Sequence, residues 1–157
     1  MFKRRQLTDD NTQLPENLAH PLNYCEEHTA ASLLEWMSEF RLNGSASHEL
    51  EGYLNQDFNR FVYTLNLLPA ESEGKSLLEI GSNPYFTSML IEKFTSYDLQ
   101  CLNFFGGEAK SGLQIQANEH TQESFEFDFL NHNIEDLEPP LEKLFDVVIF
   151  CEVIDIS

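Results

Sequence analysis

Residues 75–94 combine, in one unbroken run, a short apolar segment, a glycine and the beginning of a helical pattern. Ser76 to Ile80 have the length and apolar character of a buried strand, and Gly81 can adopt backbone conformations that other residues avoid. Asn83 is a favourable N-cap, and Pro84 suits the first position of a helix. This run therefore predicts a strand, a tight turn and a helix whose N-terminal N–H groups face the space above the strand's carboxyl end.

The residue types in this turn disfavour a phosphate ligand. Gly81 stands alone, whereas a dinucleotide fingerprint needs three glycines, and no lysine follows as in a P-loop. Glu79, two positions earlier, is an acidic residue in a strand otherwise made of apolar residues and one serine. A carboxylate at this place repels a pyrophosphate and favours a ligand with a positive amino or sulfonium group.

The segment Glu79-Ile80-Gly81-Ser82-Asn83-Pro84-Tyr85-Phe86 resembles the first motif of the class I S-adenosylmethionine-dependent methyltransferases. In that family an acidic residue, any residue and a glycine-rich turn follow one another. Residues 145–154 resemble the family's fourth strand, and residues 131–136 resemble the loop after its third strand. The resemblance implies an α/β fold: a Rossmann-like methyltransferase sheet, of which this chain holds the first four strands only, preceded by an N-terminal helical segment.

The resemblance also implies S-adenosyl-L-methionine as the cofactor. By the resemblance, the residues that would bind it are Glu79, Gly81, Ser82, Asn83, Pro84, Asn103, Asn133, Cys151 and Glu152. Glu79 would face the methionine amino group, Asn103 the ribose and Asn133 the adenine. Cys151 and Glu152 would flank the face on which the methyl group is transferred.

Two functions remain open because the chain departs from the family pattern. Asn83 and Tyr85 replace glycines, and Asn103 stands where an acidic residue usually binds the ribose hydroxyls. The first function is methyl transfer to an unidentified small molecule or glycan precursor, with His132 either a base near the methyl group or an exposed loop residue. The alternative is a non-catalytic, degenerate methyltransferase fold that binds a partner chain.

The rest of the chain divides into segments around this motif. Residues 1–24 are polar and predict an irregular lead-in, and residues 25–74 predict a helical segment with two amphipathic helices. Residues 75–157 would form the N-terminal part of a Rossmann-like cofactor-binding domain. Within it, residues 106–129 alternate in polarity and predict a β-hairpin or a long loop. The domain looks shortened at its C-terminus, which would leave a sheet edge open to self-association.

Composition excludes several partners. The net charge of −18 disfavours binding to nucleic acid, whose recognition depends on clustered Lys and Arg. No apolar run approaches the length of a membrane span, and we expect a cytoplasmic protein. The three cysteines are far apart, and the five histidines lack the spacing of metal ligands, so we expect neither a disulfide framework nor a metal site.

Overall fold

A computed structural model of the chain describes residues 24–45, 47–136, 141 and 143–150. The predicted lead-in, apart from Tyr24, lies outside the described residues, as do Cys151 and Glu152. The elements in chain order are α1 (Ala30–Ser38), β1 (Phe40–Leu42), α2 (His48–Leu67), β2 (Ser76–Ile80), α3 (Phe86–Phe94), β3 (Asp98–Asn103), β4 (Gly112–Asn118), β5 (Ser124–Asn131) and β6 (Val147–Phe150).

The six strands form one mixed sheet in the order β1-β4-β5-β3-β2-β6. Strands β5, β3, β2 and β6 are parallel, and β4 and β1 continue the sheet as antiparallel strands. The α/β class is therefore confirmed. The expectation of four strands was wrong by two, because β1 and β4 extend the sheet beyond its parallel part.

The predicted β-hairpin is present, and it consists of β4 and β5. Ala117 lies opposite Ser124 and Gly112 lies opposite Phe129, which is the register of a hairpin closed by residues 118–123. Strand β1 was not predicted, since it lies inside the segment 25–74 that the sequence indicates as helical. Its three residues pair with β4, so this segment also contributes a strand to the sheet.

Both predicted amphipathic helices are present, and each begins after a residue whose side chain caps its N-terminus. Thr29 precedes α1, and its hydroxyl accepts a hydrogen bond from the backbone N–H of Ser32 at 3.1 Å. Ser47 caps α2 in the same way, and α2 ends two residues before Pro69, which cannot continue a helix. The inner face of α2 packs into the core through five buried apolar residues: Leu54, Phe58, Phe61, Val62 and Leu65.

The helices pack on one face of the sheet. Side chains of alternating strand residues, among them Glu79, Cys101 and Phe127, point to this face and are buried there. The residues that alternate with them point away from the helices, and Val148 and Leu113 are 55% and 48% exposed on that other face. No helix in the described part of the chain is long and apolar enough to cross a membrane.

Candidate functional site

The carboxyl end of β2 lies at the point where the chain changes direction across the sheet. β2 has parallel neighbours on both sides, β3 and β6, and the chain reaches β3 directly through α3 but returns to β6 only after β5. In open α/β sheets, ligands bind in the crevice above such a switch point. The turn that begins at Gly81 therefore occupies the position at which this architecture usually binds a ligand.

Gly81 adopts a backbone conformation that other residues avoid. Its φ is +75°, and its N–H donates a hydrogen bond to the carbonyl of Leu102 at 2.8 Å. A side chain with a β-branch is strained in this left-handed conformation, so the backbone favours glycine at this position.

The start of α3 was predicted two residues too early. The N-cap is Tyr85, not Asn83, and Pro84 precedes the helix instead of opening it. Tyr85 has a φ of +71°, and its ring is fully buried and stacks on Phe127 with the ring centroids 5.1 Å apart. The burial of this aromatic ring overrides the local capping preference of Asn83, which explains why the sequence pattern placed the boundary wrongly.

Asn103 holds the turn instead of presenting its amide to a ligand. Its Oδ1 accepts hydrogen bonds from the backbone N–H of Asn83 at 2.9 Å and from the hydroxyl of Ser82 at 3.3 Å. Its Nδ2 donates to the hydroxyl of Tyr85 at 2.9 Å, and the residue is only 4% exposed. These contacts do not support the ribose-binding role that the resemblance implied for Asn103.

Glu79 is a buried carboxylate on the helix side of β2. It is 5% exposed and accepts a hydrogen bond from the hydroxyl of Ser88 at 2.5 Å. Burial raises the pKa of Glu79 to about 7, although the hydrogen bond from Ser88 and the positive charge of Arg60 act in the opposite direction. Glu79 is therefore poised to change its charge near neutral pH, and a nearby cation would favour the ionised form.

A small cavity opens between α2 and the turn. It leaves about 60 Å³ for the centres of water-sized molecules, which is room for a few waters or a small polar group. Five of the predicted site residues line it: Glu79, Gly81, Ser82, Asn83 and Pro84. Phe86 and Thr87, the first two residues of α3, also line it, so the start of this helix forms part of its wall.

Helix α2 contributes Tyr53, Arg60 and Phe61 to the cavity. Tyr53 and Phe61 belong to the apolar stripe that predicts this helix, a stripe that could either line a pocket or pack in the core, whereas Arg60 was not selected from the sequence. Arg60 donates a hydrogen bond to the hydroxyl of Tyr53 at 2.6 Å, and its guanidinium lies 4.8 Å from the ring centroid of Phe61. A basic residue at helical spacing from the aromatic residues of an otherwise apolar stripe was the signal that could have identified Arg60.

The loop after β5 is not part of the cavity. Asn133 stabilises its own turn, because its Oδ1 accepts a hydrogen bond from the backbone N–H of Glu135 at 3.0 Å. The backbone N–H of His132 donates to the carbonyl of Asn103 at 2.9 Å, which ties this loop to the end of β3. The structure therefore does not bring His132 or Asn133 together with Glu79 around the cavity. Among the described residues there is also no cluster of His, Cys, Asp or Glu suited to a metal ion.

Comparisons with known proteins gave no match. No protein-family model matches the sequence, and no curated protein or solved structure matches it significantly. Any functional assignment therefore depends on the motif and on the site described above.

Proposed function

We propose that this chain is a Rossmann-like, S-adenosyl-L-methionine-dependent methyltransferase that acts on a small molecule or a glycan precursor. One observation carries the proposal: the buried carboxylate of Glu79 and the left-handed Gly81 turn meet at the switch point of the sheet. A carboxylate in this place suits a cationic ligand and opposes a phosphate.

The residues fit the amino-acid end of the cofactor better than its nucleoside end. Glu79 would bind the ammonium group, and the backbone from Gly81 to Asn83 would lie close beneath the ligand. The cavity, at about 60 Å³ for the centres of water-sized molecules, has space for the amino-acid end only. The ribose would lie outside it and receive no hydrogen bond from the engaged amide of Asn103.

When bound, the cofactor would supply a methyl group on a positively charged sulfur that a nucleophile can attack directly. The chain would contribute binding and alignment, since holding two reactants in the reactive geometry supplies a large part of such a rate enhancement. The buried walls formed by Phe61 and Phe86 would exclude water from one side of the ligand.

Titration with S-adenosylmethionine and S-adenosylhomocysteine tests this proposal. We expect both to bind, and we expect Glu79→Ala to weaken binding by roughly 1–3 kcal/mol, the range for losing a charged hydrogen-bond partner. Glu126→Ala is the matched control, because Glu126 is exposed and its strand position points away from the helices. No heat of binding and no thermal shift with either ligand would refute the proposal.

A second candidate function is a non-catalytic protein that binds a partner chain through β6. The observation in its favour is the exposure of Val148 and Phe150, which are 55% and 46% exposed on this short strand. Exposed apolar residues on a strand are a common basis for strand pairing between chains. A folded protein that binds neither cofactor form but self-associates would favour this candidate.

A further inference from the structure

A second cavity lies between α1, β1, α2 and β4. It leaves about 20 Å³ for the centres of water-sized molecules, which is room for about one or two groups of that size. Its apolar walls include Met37, Phe40 and Leu54, all of which are buried. Among the described residues, only Phe86 lines both this cavity and the one at the turn. The second cavity is therefore separate from the candidate site.

Gln116 gives the second cavity a buried hydrogen-bond acceptor that has no partner. The residue lines the cavity and is 1% exposed, and its Oε1 makes no hydrogen bond. The orientation of the amide is fixed, because its Nε2 donates to the carbonyl of Pro84 at 2.9 Å and a carbonyl oxygen can only accept. Turning the amide over would place two acceptors together. Oε1 is therefore the atom that needs a donor, and leaving it unpaired costs free energy that a donating ligand would recover.

The wall of the second cavity does not favour a charged ligand. It includes one positive and one negative residue, Arg41 and Glu51, and the Nη2 of Arg41 already donates to the carboxylate of Glu119 at 2.8 Å. Burying a charged group is costly unless an opposite charge pairs with it, and the free acceptor of Gln116 is a neutral amide. A hydroxyl is the smallest neutral organic group that donates a hydrogen bond, so it matches both this acceptor and the small volume.

The apolar walls suit a short aliphatic chain next to that hydroxyl. Burial of a methylene group against Met37, Phe40 or Leu54 is favourable because it removes apolar surface from water. Ser45, which also lines the cavity, is exposed, so the cavity opens to solvent near the start of α2. A longer ligand would extend through this opening.

We infer that the second cavity binds the hydroxymethyl end of a primary alcohol. The hydroxyl donates a hydrogen bond to the Oε1 of Gln116, and the neighbouring carbon lies against the apolar walls. This inference goes beyond the proposed function and does not depend on it, since it concerns a different cavity and a neutral ligand.

Titration with ligands of similar size and different end groups tests this inference. 1-Propanol, propionitrile, propylammonium and propionate are each added to the full chain, and the NMR signals of the Gln116 side-chain amide and the Met37 methyl group are followed. The variants are Gln116→Met, which removes the acceptor, and Leu50→Phe, which enlarges a partly exposed side chain of the wall and leaves Gln116 in place. Gln114→Met is the matched control, because the Oε1 of Gln114 also lacks a partner but this residue does not line the cavity. Thermal denaturation of each variant checks that it is folded.

We expect 1-propanol to bind saturably with a dissociation constant in roughly the millimolar range, as its few non-hydrogen atoms allow. Propionitrile has the same number of non-hydrogen atoms but cannot donate a hydrogen bond, so it should bind about fivefold more weakly or worse, and the two ions should not bind. Gln116→Met should weaken 1-propanol by about fivefold or more, the effect of losing a hydrogen bond. Leu50→Phe should abolish binding, and Gln114→Met should bind 1-propanol as tightly as the wild type.

Equal binding of 1-propanol and propionitrile would overturn the inference, because it would show that no hydrogen bond is donated to Gln116. Unchanged binding by Gln116→Met and Leu50→Phe would overturn it as well, since the alcohol would then lie elsewhere. The absence of any saturable shift with 1-propanol would mean that water satisfies Oε1 and that the cavity takes no organic ligand. If Gln116→Met fails to fold, Leu50→Phe and the comparison of the alcohol with the nitrile still decide the matter.

Discussion

The parallel pair β2 and β3, the parallel part of the sheet, buries the ionisable carboxyl of Glu79. The strands β1, β4 and β5, which pair antiparallel with one another and form the antiparallel part, bury aromatic rings and the neutral amides of Gln116 and Asn118. Beneath α3, the parallel strands β2 and β3 bury polar groups, namely Glu79, Cys101 and Asn103, with Ser88 of α3 between the first two. Beneath α1, the hairpin of β4 and β5 and the short strand β1 form an aromatic cluster. Its members are Trp36, Phe40, Phe125 and Phe127.

This difference separates the candidate site from the main source of stability. Buried polar groups weaken a fold unless each has a partner, and the ionised form of Glu79 is costly to bury. Aromatic pairs in edge-to-face contact add to the stabilisation that burial of their area provides. We conclude that the antiparallel extension, which the resemblance did not lead us to expect, stabilises a parallel part that carries a destabilising site.

Two buried amides connect the parts. Asn103 bonds to the turn from the parallel side. From the antiparallel side, the Nε2 of Gln116 on β4 donates a hydrogen bond to the carbonyl of Pro84 at 2.9 Å. Gln116 is only 1% exposed. The antiparallel part therefore supports the turn of the candidate site directly, in addition to stabilising the fold.

The largest expected effect comes from the aromatic cluster. Phe40→Ala should lower the free energy of unfolding by about 3–5 kcal/mol, the usual range for a buried aromatic residue, since Phe40 is 6% exposed and contacts both Trp36 and Phe125. Denaturant unfolding measures the change, with Phe40→Leu as a milder control. Under conditions where the variant remains folded, ligand affinity should equal that of the wild type. A loss of affinity with little loss of stability would contradict the division between the two parts.

The next effect is a pH dependence that originates at Glu79. Its pKa in the folded protein is about 7, above its ordinary value of 4.5, so between these values the folded chain binds more protons than the unfolded chain. The free energy of unfolding should therefore fall as the pH rises through this window, by roughly 3 kcal/mol at about 1.4 kcal/mol per pKa unit. Glu79→Gln should lack this component. Denaturant unfolding of both proteins across the pH range measures it, and parallel curves for the two would refute it.

The sequence predicted the parts of the molecule in which local pattern and tertiary packing agree. The apolar run before Gly81 became β2, and the alternation of Phe125, Phe127 and Phe129 became β5 in its hairpin. Strand β1 was missed because three residues directly after a helix carry too little periodicity to indicate a strand. Its pairing with β4 depends on a contact that is distant in the sequence.

The site was predicted in part for the same reason. Glu79 and Gly81 are set by local sequence, and both lie at the cavity. The role of Asn103 and the position of the helix start depend on the ring of Tyr85, which is buried against Phe127 from another strand. Arg60 comes from a separate helix and could be assigned to the cavity only after α2 was placed against the turn.

The smallest expected effect on stability belongs to β6, at the end of the sheet where the parallel part has no described neighbour beyond it. Val148 is 55% exposed and points away from the helices, so Val148→Lys should change the free energy of unfolding by no more than about 0.5 kcal/mol.

Self-association should change far more. With a net charge of −18, copies of the chain repel one another. Salt screens this repulsion, with a screening length of about 10 Å at 0.1 M, so the wild type should associate as the salt concentration is raised.

Light scattering at low and high salt tests this expectation on the wild type and on two variants. Val148→Lys places a charge on the strand and should suppress association, since charged residues on edge strands block pairing. Leu144→Lys is the matched control, because it makes the same change of charge at a residue that is 96% exposed but lies outside the strand. Equal association of both variants would show that the contact lies elsewhere. A wild type that stays monomeric at high salt would mean that the apolar residues of β6 do not drive pairing, and it would remove the main support for a partner-binding function.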